Sequence, residues 1–131
     1  MILKTFELKK IKIDTYRFFL IYGNNKGLIE EIIEDNLKPI LFKNIYNYDE
    51  NEILQNSDNF KEDILSRSFF DDKKLIIISR ATDKILKIIE EIIGKNIKDI
   101  SIILKASTLE KKSKIRNFFE KQKETVCIPV Y

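Results

Sequence analysis

Short, continuous apolar runs alternate along this chain with longer segments whose apolar residues recur at helical spacing. Such runs read as strands covered on both faces, and helix-length crossovers between them call for a parallel sheet. Phe18-Phe19-Leu20-Ile21-Tyr22 is the first, ended by Gly23. Ile40 to Tyr46, poorer in apolar residues, reads as a second strand nearer an edge. Leu75-Ile76-Ile77-Ile78, Ile100 to Leu104 and Thr125 to Tyr131 complete the set.

The intervening segments carry helix signals. Asn24 or Asn25 can cap a helix bearing Leu28, Ile29, Ile32, Ile33 and Leu37, which Pro39 is expected to stop. The polar stretch Asn47 to Asn59 holds one helical turn around Glu52 to Leu54. Asp58 caps a helix through about Ser66, with Phe60, Ile64 and Leu65 inward. Thr82 or Asp83 caps a long helix with Ile85, Ile88, Ile89, Ile92 and Ile93 inward, closed by Gly94. Thr108 caps a last helix, Leu109 to Glu124, with Leu109, Ile115, Phe118 and Phe119 inward. The start (Ile2, Leu3, Phe6, Leu8, Ile11, Ile13) fits either an extra strand or an amphipathic lead-in.

The expected fold is therefore α/β: a doubly wound, mostly parallel five-stranded sheet with helices on both faces. A length of 131 residues, with no linker and no repeat, makes 1–131 a single domain. With 44% hydrophobic residues it can bury a substantial core.

Composition removes several kinds of chemistry. There is no histidine, so the commonest general base and metal ligand is missing. The single cysteine, Cys127, leaves no internal disulfide and no zinc site of paired cysteines. Cys127 lies inside an apolar strand and is expected to be a buried, inert thiol. A net charge of +3 argues against a strongly basic arm or an acidic tail. No apolar run approaches a membrane span, and Met1 to Lys10 has no signal-peptide core, so a cytoplasmic location is expected.

Ligands of open parallel sheets bind at the carboxyl ends of strands. After the first strand stands Gly23-Asn24-Asn25-Lys26-Gly27-Leu28-Ile29. A nucleotide-binding phosphate loop sets its glycines five apart, followed by Lys and Ser/Thr. Here they are four apart, and Leu28 and Ile29 stand where the Lys and hydroxyl belong. The third strand ends Ile78-Ser79-Arg80, without the carboxylate that would hold Mg²⁺. There is no Gly-x-Gly-x-x-Gly and no receiver-type acidic pair. The phosphate site is degenerate, and neither cofactor nor metal is expected. An alternative function remains, a small nucleotide- or anion-binding domain using the Asn24 to Gly27 helix start.

Three further features stand out. Asp71-Asp72, followed by Lys73-Lys74, reads as a solvated turn. Lys111, Lys112, Lys114, Arg116, Lys121 and Lys123 make the last helix basic against Glu110, Glu120 and Glu124. It fits a solvated face, or a contact with nucleic acid or an acidic partner. Ser66-Arg67-Ser68-Phe69-Phe70 joins a helix to a buried strand. Adjacent large aromatics there either pack under the sheet on two sides of the turn, or leave one ring free to anchor a partner.

Four stretches, taken in order, resemble the amino-terminal domain of the delta subunit of the bacterial DNA polymerase III clamp loader. They are Phe19-Leu20-Ile21-Tyr22-Gly23-Asn24 with Leu28-Ile29-Glu30-Glu31, Ser68-Phe69-Phe70-Asp71-Asp72-Lys73-Lys74 with Leu75 to Ile78, and Thr82-Asp83-Lys84. The fourth is Leu109 to Lys121 followed by Val126-Cys127-Ile128-Pro129-Val130-Tyr131. The resemblance implies an ATPase-like fold of the AAA+ type that neither binds nor hydrolyses ATP. It implies a non-catalytic subunit of DNA replication that binds the ring-shaped sliding clamp and springs it open. The family does so with a hydrophobic pair that follows a Ser at the end of a helix. Ser68, Phe69 and Phe70 match that element, with Phe70 as the anchor and Phe69 beside it. The family usually has Leu-Phe and then Gly, where this chain has Phe69-Phe70 and Asp71. Other clamp-loader subunits would be partners of the full-length protein, DNA would be contacted only indirectly or weakly, and no membrane is involved. The family's lid and collar domains are expected to be absent from residues 1–131.

Overall fold

The computed structural model describes residues 1–9, 13–41, 44–70, 73–97 and 99–131, and the side chains among them except those of 14 and 65–70. Five strands form one all-parallel sheet in the order β2-β3-β4-β1-β5. They are β1 Phe18–Gly23, β2 Asn44–Asp49, β3 Lys74–Ser79, β4 Ile100–Ala106 and β5 Thr125–Val130. β1 is buried along its whole length, because its period-two pattern is apolar on both sides. Phe18, Leu20 and Tyr22 enter one core, and Phe19 and Ile21 enter the other.

The helices are α1 Lys26–Ile32, α2 Lys38–Leu41, α3 Glu50–Gln55, α4 Ser57–Phe70, α5 Leu86–Gly94 and α6 Lys114–Lys121. α3 to α6 cover one face through Ile53, Phe60, Ile64, Ile88, Ile89, Ile92, Ile115 and Phe119. α1, α2 and the amino-terminal segment cover the other through Leu3, Leu8, Ile13, Ile29, Ile32 and Leu41. Burying each such side chain contributes about 1.5–3 kcal/mol, which makes these two layers the main source of stability.

Four expectations are corrected. Pro39 does not stop the first helical run, which continues to Leu41. A wider, π-type turn over Ile33–Leu37 precedes it, with the Lys38 amide donating to the Ile33 carbonyl five residues back. That widening relieves the clash a proline ring makes with the preceding turn. Ile40 and Leu41 therefore belong to a helix, and the second strand begins only at Asn44, at the sheet edge. α4 runs to Phe70, past Ser66. α6 starts at Lys114 rather than after Thr108 and ends at Lys121.

Elsewhere local chemistry acts as its residue types suggest. Asn25 caps α1, its Oδ1 accepting the Leu28 amide at 3.1 Å. Thr82 caps the 3-10 turn Asp83–Ile85 that leads into α5. After Gly94 the left-handed position is taken by Asn96, φ 55°. Among the described residues the amino-terminal segment makes one parallel bridge, Ile2 to Cys127, and two 3-10 turns, as a lead-in to β1. Ile11, Asp71 and Asp72 lie outside the described residues, as do the side chains of Leu65, Ser68, Phe69 and Phe70.

Candidate functional site

The loop between β1 and α1 shows what its glycines do. Gly23 has φ +147°, and a Cβ there would lie 1.6 Å from the Val130 carbonyl oxygen. That glycine lets β1 close against β5, which is a packing requirement. Gly27 is in open space, its nearest neighbour being Asn25 Oδ1 at 3.8 Å. Leu28 and Ile29, where a phosphate loop has its Lys and hydroxyl, belong to the core beneath α1. Lys26 is exposed at the first turn of that helix.

β3 ends at Ser79, and Arg80 follows in the left-handed region at φ 56°. The register sets Asp49 opposite Ser79. Arg80 Nε donates to Asp49 Oδ2 at 2.6 Å. The Arg80 guanidinium, with the Asn51 amide, holds the Asp49 carboxyl below its ordinary range. The carboxylate missing from the end of β3 in sequence is thus supplied by the end of β2, where an arginine occupies it.

Thr82 and Asp83 tie three helix starts together. Buried Glu50 accepts the Thr82 amide and hydroxyl, each at 2.8 Å. Asp83 Oδ1 accepts the Ser113 hydroxyl at 2.8 Å and the Ile115 amide at 3.0 Å. Asp83 therefore caps α6 from outside, while Ser113 caps it from within. The Ile115 amide, and behind it the Ser113 hydroxyl, hold the Asp83 carboxyl below its ordinary range.

Arg80 and Thr82 also border a cavity of about 600 Å³. Gly23, Lys26, Ile29 and Glu30 line it from β1 and α1, Ser79 to Thr82 from the end of β3, and Lys105 to Ser107 from the end of β4. Lys105 Nζ pairs with Glu30 Oε1 at 2.7 Å. Sequence reasoning looked at the Gly23–Gly27 loop, examined the Ile78-Ser79-Arg80 strand end only for a carboxylate, and did not single out Lys105 or Ser107. Their signal was positional, since each stands at or just beyond the end of a buried strand.

The other candidate lies at the opposite pole of the sheet. Ser68, Phe69 and Phe70 are the last three residues of α4, four residues ahead of Lys74 at the amino end of β3. Among the described residues no group of acidic or cysteine side chains could hold a metal ion.

The sequence profile of DNA polymerase III, delta subunit, matches residues 19–128, from the second residue of β1 into β5 and across all five strands. The chain belongs to the DNA polymerase III delta subunit family. That subunit is a component of the clamp loader. No curated protein matches the chain.

Within this delta-family chain the basic residues near α6 divide in two. Lys111, Lys112 and Lys114 are exposed, with Lys112 Nζ 3.5 Å from Glu110. Arg116 turns inward, donating to Glu120 at 3.1 Å and to the Leu109 carbonyl at 2.9 Å, with its guanidinium 5.3 Å from the centre of the Tyr22 ring. Cys127 is fully buried, and burial pushes its thiol up to about 12. Among the described residues no helix is long and apolar enough to cross a membrane.

Proposed function

We propose that the chain is the amino-terminal, AAA+-like domain of delta and works as the clamp-binding and clamp-opening module of the replicative clamp loader, without catalysis of its own. Its partner is the sliding clamp, and its contact is Ser68, Phe69 and Phe70. The observation that carries the reading is the family match across all five strands, joined to the position of this segment as the last turn of a 14-residue helix. Aromatic residues are frequent interface anchors, and this segment carries two in succession. Opening the ring would then be driven by differential binding: the module holds the clamp shape that cannot close better than the closed one. Other loader subunits would be engaged by the full-length protein, and DNA only indirectly, with Lys111, Lys112 and Lys114 the available cations.

Direct binding of the chain to the sliding clamp of the same organism, beside a Phe69→Ala/Phe70→Ala variant, tests this. Truncating an anchor pair of hot-spot strength should weaken binding by roughly 30-fold or more while the circular dichroism and melting curve stay in place. Equal affinity in the variant, or no binding by the folded unmodified chain, overturns the assignment.

A further inference from the structure

The two edge strands of the sheet, β2 and β5, are finished differently. An edge presents unpaired amides and carbonyls, which proteins usually cover or interrupt. β5 is covered. Met1 to Leu3 lie along it, the Cys127 amide donating to the Met1 carbonyl and the Leu3 amide to the Cys127 carbonyl, each at 2.8 Å. Further along, Pro129 has no amide to offer.

β2 has neither device. It keeps an unbroken parallel register with β3 from Asn44 to Asp49 and carries no proline and no lysine. Among the described residues no strand lies beyond it. The Asn44 amide donates to the Lys73 carbonyl, on the β3 side. Backbone groups alternate in direction along a strand, so the amides of Ile45, Asn47 and Asp49 point away from β3. Glu52 Oε1 takes the Asp49 amide at 3.2 Å, which leaves Ile45 and Asn47 at the open edge.

The two faces beside this edge differ in chemistry. Ile45 is exposed on the face covered by α1 and α2, its register partner Leu75 belonging to that core. Tyr46 and Tyr48 pack on the other face. There a cavity of about 310 Å³ opens between the end of β2, α3 and the first half of α4. Tyr48 and Phe60, edge to face at 5.0 Å, give it an aromatic wall. Glu52 and Asp63 are exposed on its lining, which holds no cation. Lys61, in the same stretch of α4, is engaged by Glu91 at 2.7 Å. Aromatic rings beside exposed carboxylates attract a lysine or arginine side chain.

We propose that the β2 edge docks an extended segment of a protein partner in which basic and aliphatic residues alternate. The segment adds a sixth strand through the backbone of Ile45 and Asn47, with its cations over Tyr48, Glu52 and Asp63 and its aliphatic side chains beside Ile45. A second copy of β2 is the poorer occupant, because it has no cation to bring to those carboxylates. The surface uses none of Ser68, Phe69 and Phe70, so it stands apart from the clamp contact.

Calorimetric titration of the chain with a six-residue peptide of alternating lysine and valine, beside one of alternating glutamate and valine, tests it. Asn47→Pro removes an amide that makes no bond to β3, a change an edge strand tolerates. Glu52→Gln/Asp63→Asn removes the two charges, and glutamine keeps the cap of α3. Saturable binding of the basic peptide that weakens roughly tenfold in each variant, with no binding of the acidic one, supports the site. Basic peptides N-methylated either on the lysines or on the valines probe the same edge without altering the protein, and one of the two should lose its binding. No saturable binding at millimolar concentration, weakening in only one of the variants, or full binding by both methylated peptides overturns it. A dimer in sedimentation that Asn47→Pro disperses would give the edge to a second copy and overturn it as well.

Discussion

Asp83 and Ser113 share a hydrogen bond of 2.8 Å across two crossovers, and the same Asp83 oxygen reaches the Ile115 amide. The start of α6 is therefore fixed by a residue thirty positions earlier in the chain. Asp83→Ala should destabilise the fold by about 1 kcal/mol and Ser113→Ala by a similar amount. Because they serve one cap, the double variant should lose less than the sum. Urea denaturation of the four proteins of this cycle measures the coupling, and strict additivity would break the link.

Acid should act through the same residue. The folded carboxyl of Asp83 titrates below its ordinary value of 3.8. Its contribution is complete above that unfolded value and is lost as pH falls through the lower folded one. Asp49, held down by Arg80, and Glu91, held down by Lys61, work in the same direction. Stability measured between pH 6 and 2 should decline, and Asp83→Ala should flatten part of that decline.

Gly23 and Gly27 should respond oppositely to alanine. A Cβ at Gly23 meets the Val130 carbonyl and demands φ +147° of a residue that resists it, so Gly23→Ala should cost about 3 kcal/mol. Gly27 lies in α1 with room for a methyl, and Gly27→Ala should stabilise by about 0.4–1 kcal/mol. Melting temperatures of the pair decide the matter. A phosphate-cradle role for the whole loop would have made both glycines matter.

Cys127 should resist thiol reagents in the native protein. Its sulfur is fully buried, with the thiol pushed up to about 12, so almost no thiolate exists at pH 8. Reaction with a disulfide reagent should go to completion only in denaturant. Fast native-state labelling would contradict the packing of β5.

The strands with continuous apolar runs, β1, β3, β4 and β5, were legible in the sequence because burial on both faces leaves little room for any other residue type. β2 was legible as an edge but not in position. Its sequence, Asn44-Ile45-Tyr46-Asn47-Tyr48-Asp49, is half polar, and the neighbouring Ile40 and Leu41 drew the strand four residues early. Pro39 misled because the widened turn before it is a backbone adjustment with no residue signature. Thr108 misled because the choice between it and Ser113 is made by Asp83, a distant partner. The four-residue spacing of Gly23 and Gly27 could be read from the sequence alone. The cavity beside that loop could not, because Lys26, Arg80 and Lys105 become neighbours only through strand order.

The placement of α4 has a mechanical consequence. Its last turn ends just before β3 begins, while Arg80 and the cavity follow just after β3 ends. Between them stands a six-residue strand, about 20 Å long, hydrogen-bonded on both sides. Parallel strands loaded along their length put all their ladder bonds in shear at once. A load entering at one pole would therefore be shared by β3 and the strands on both sides of it before it reached the other.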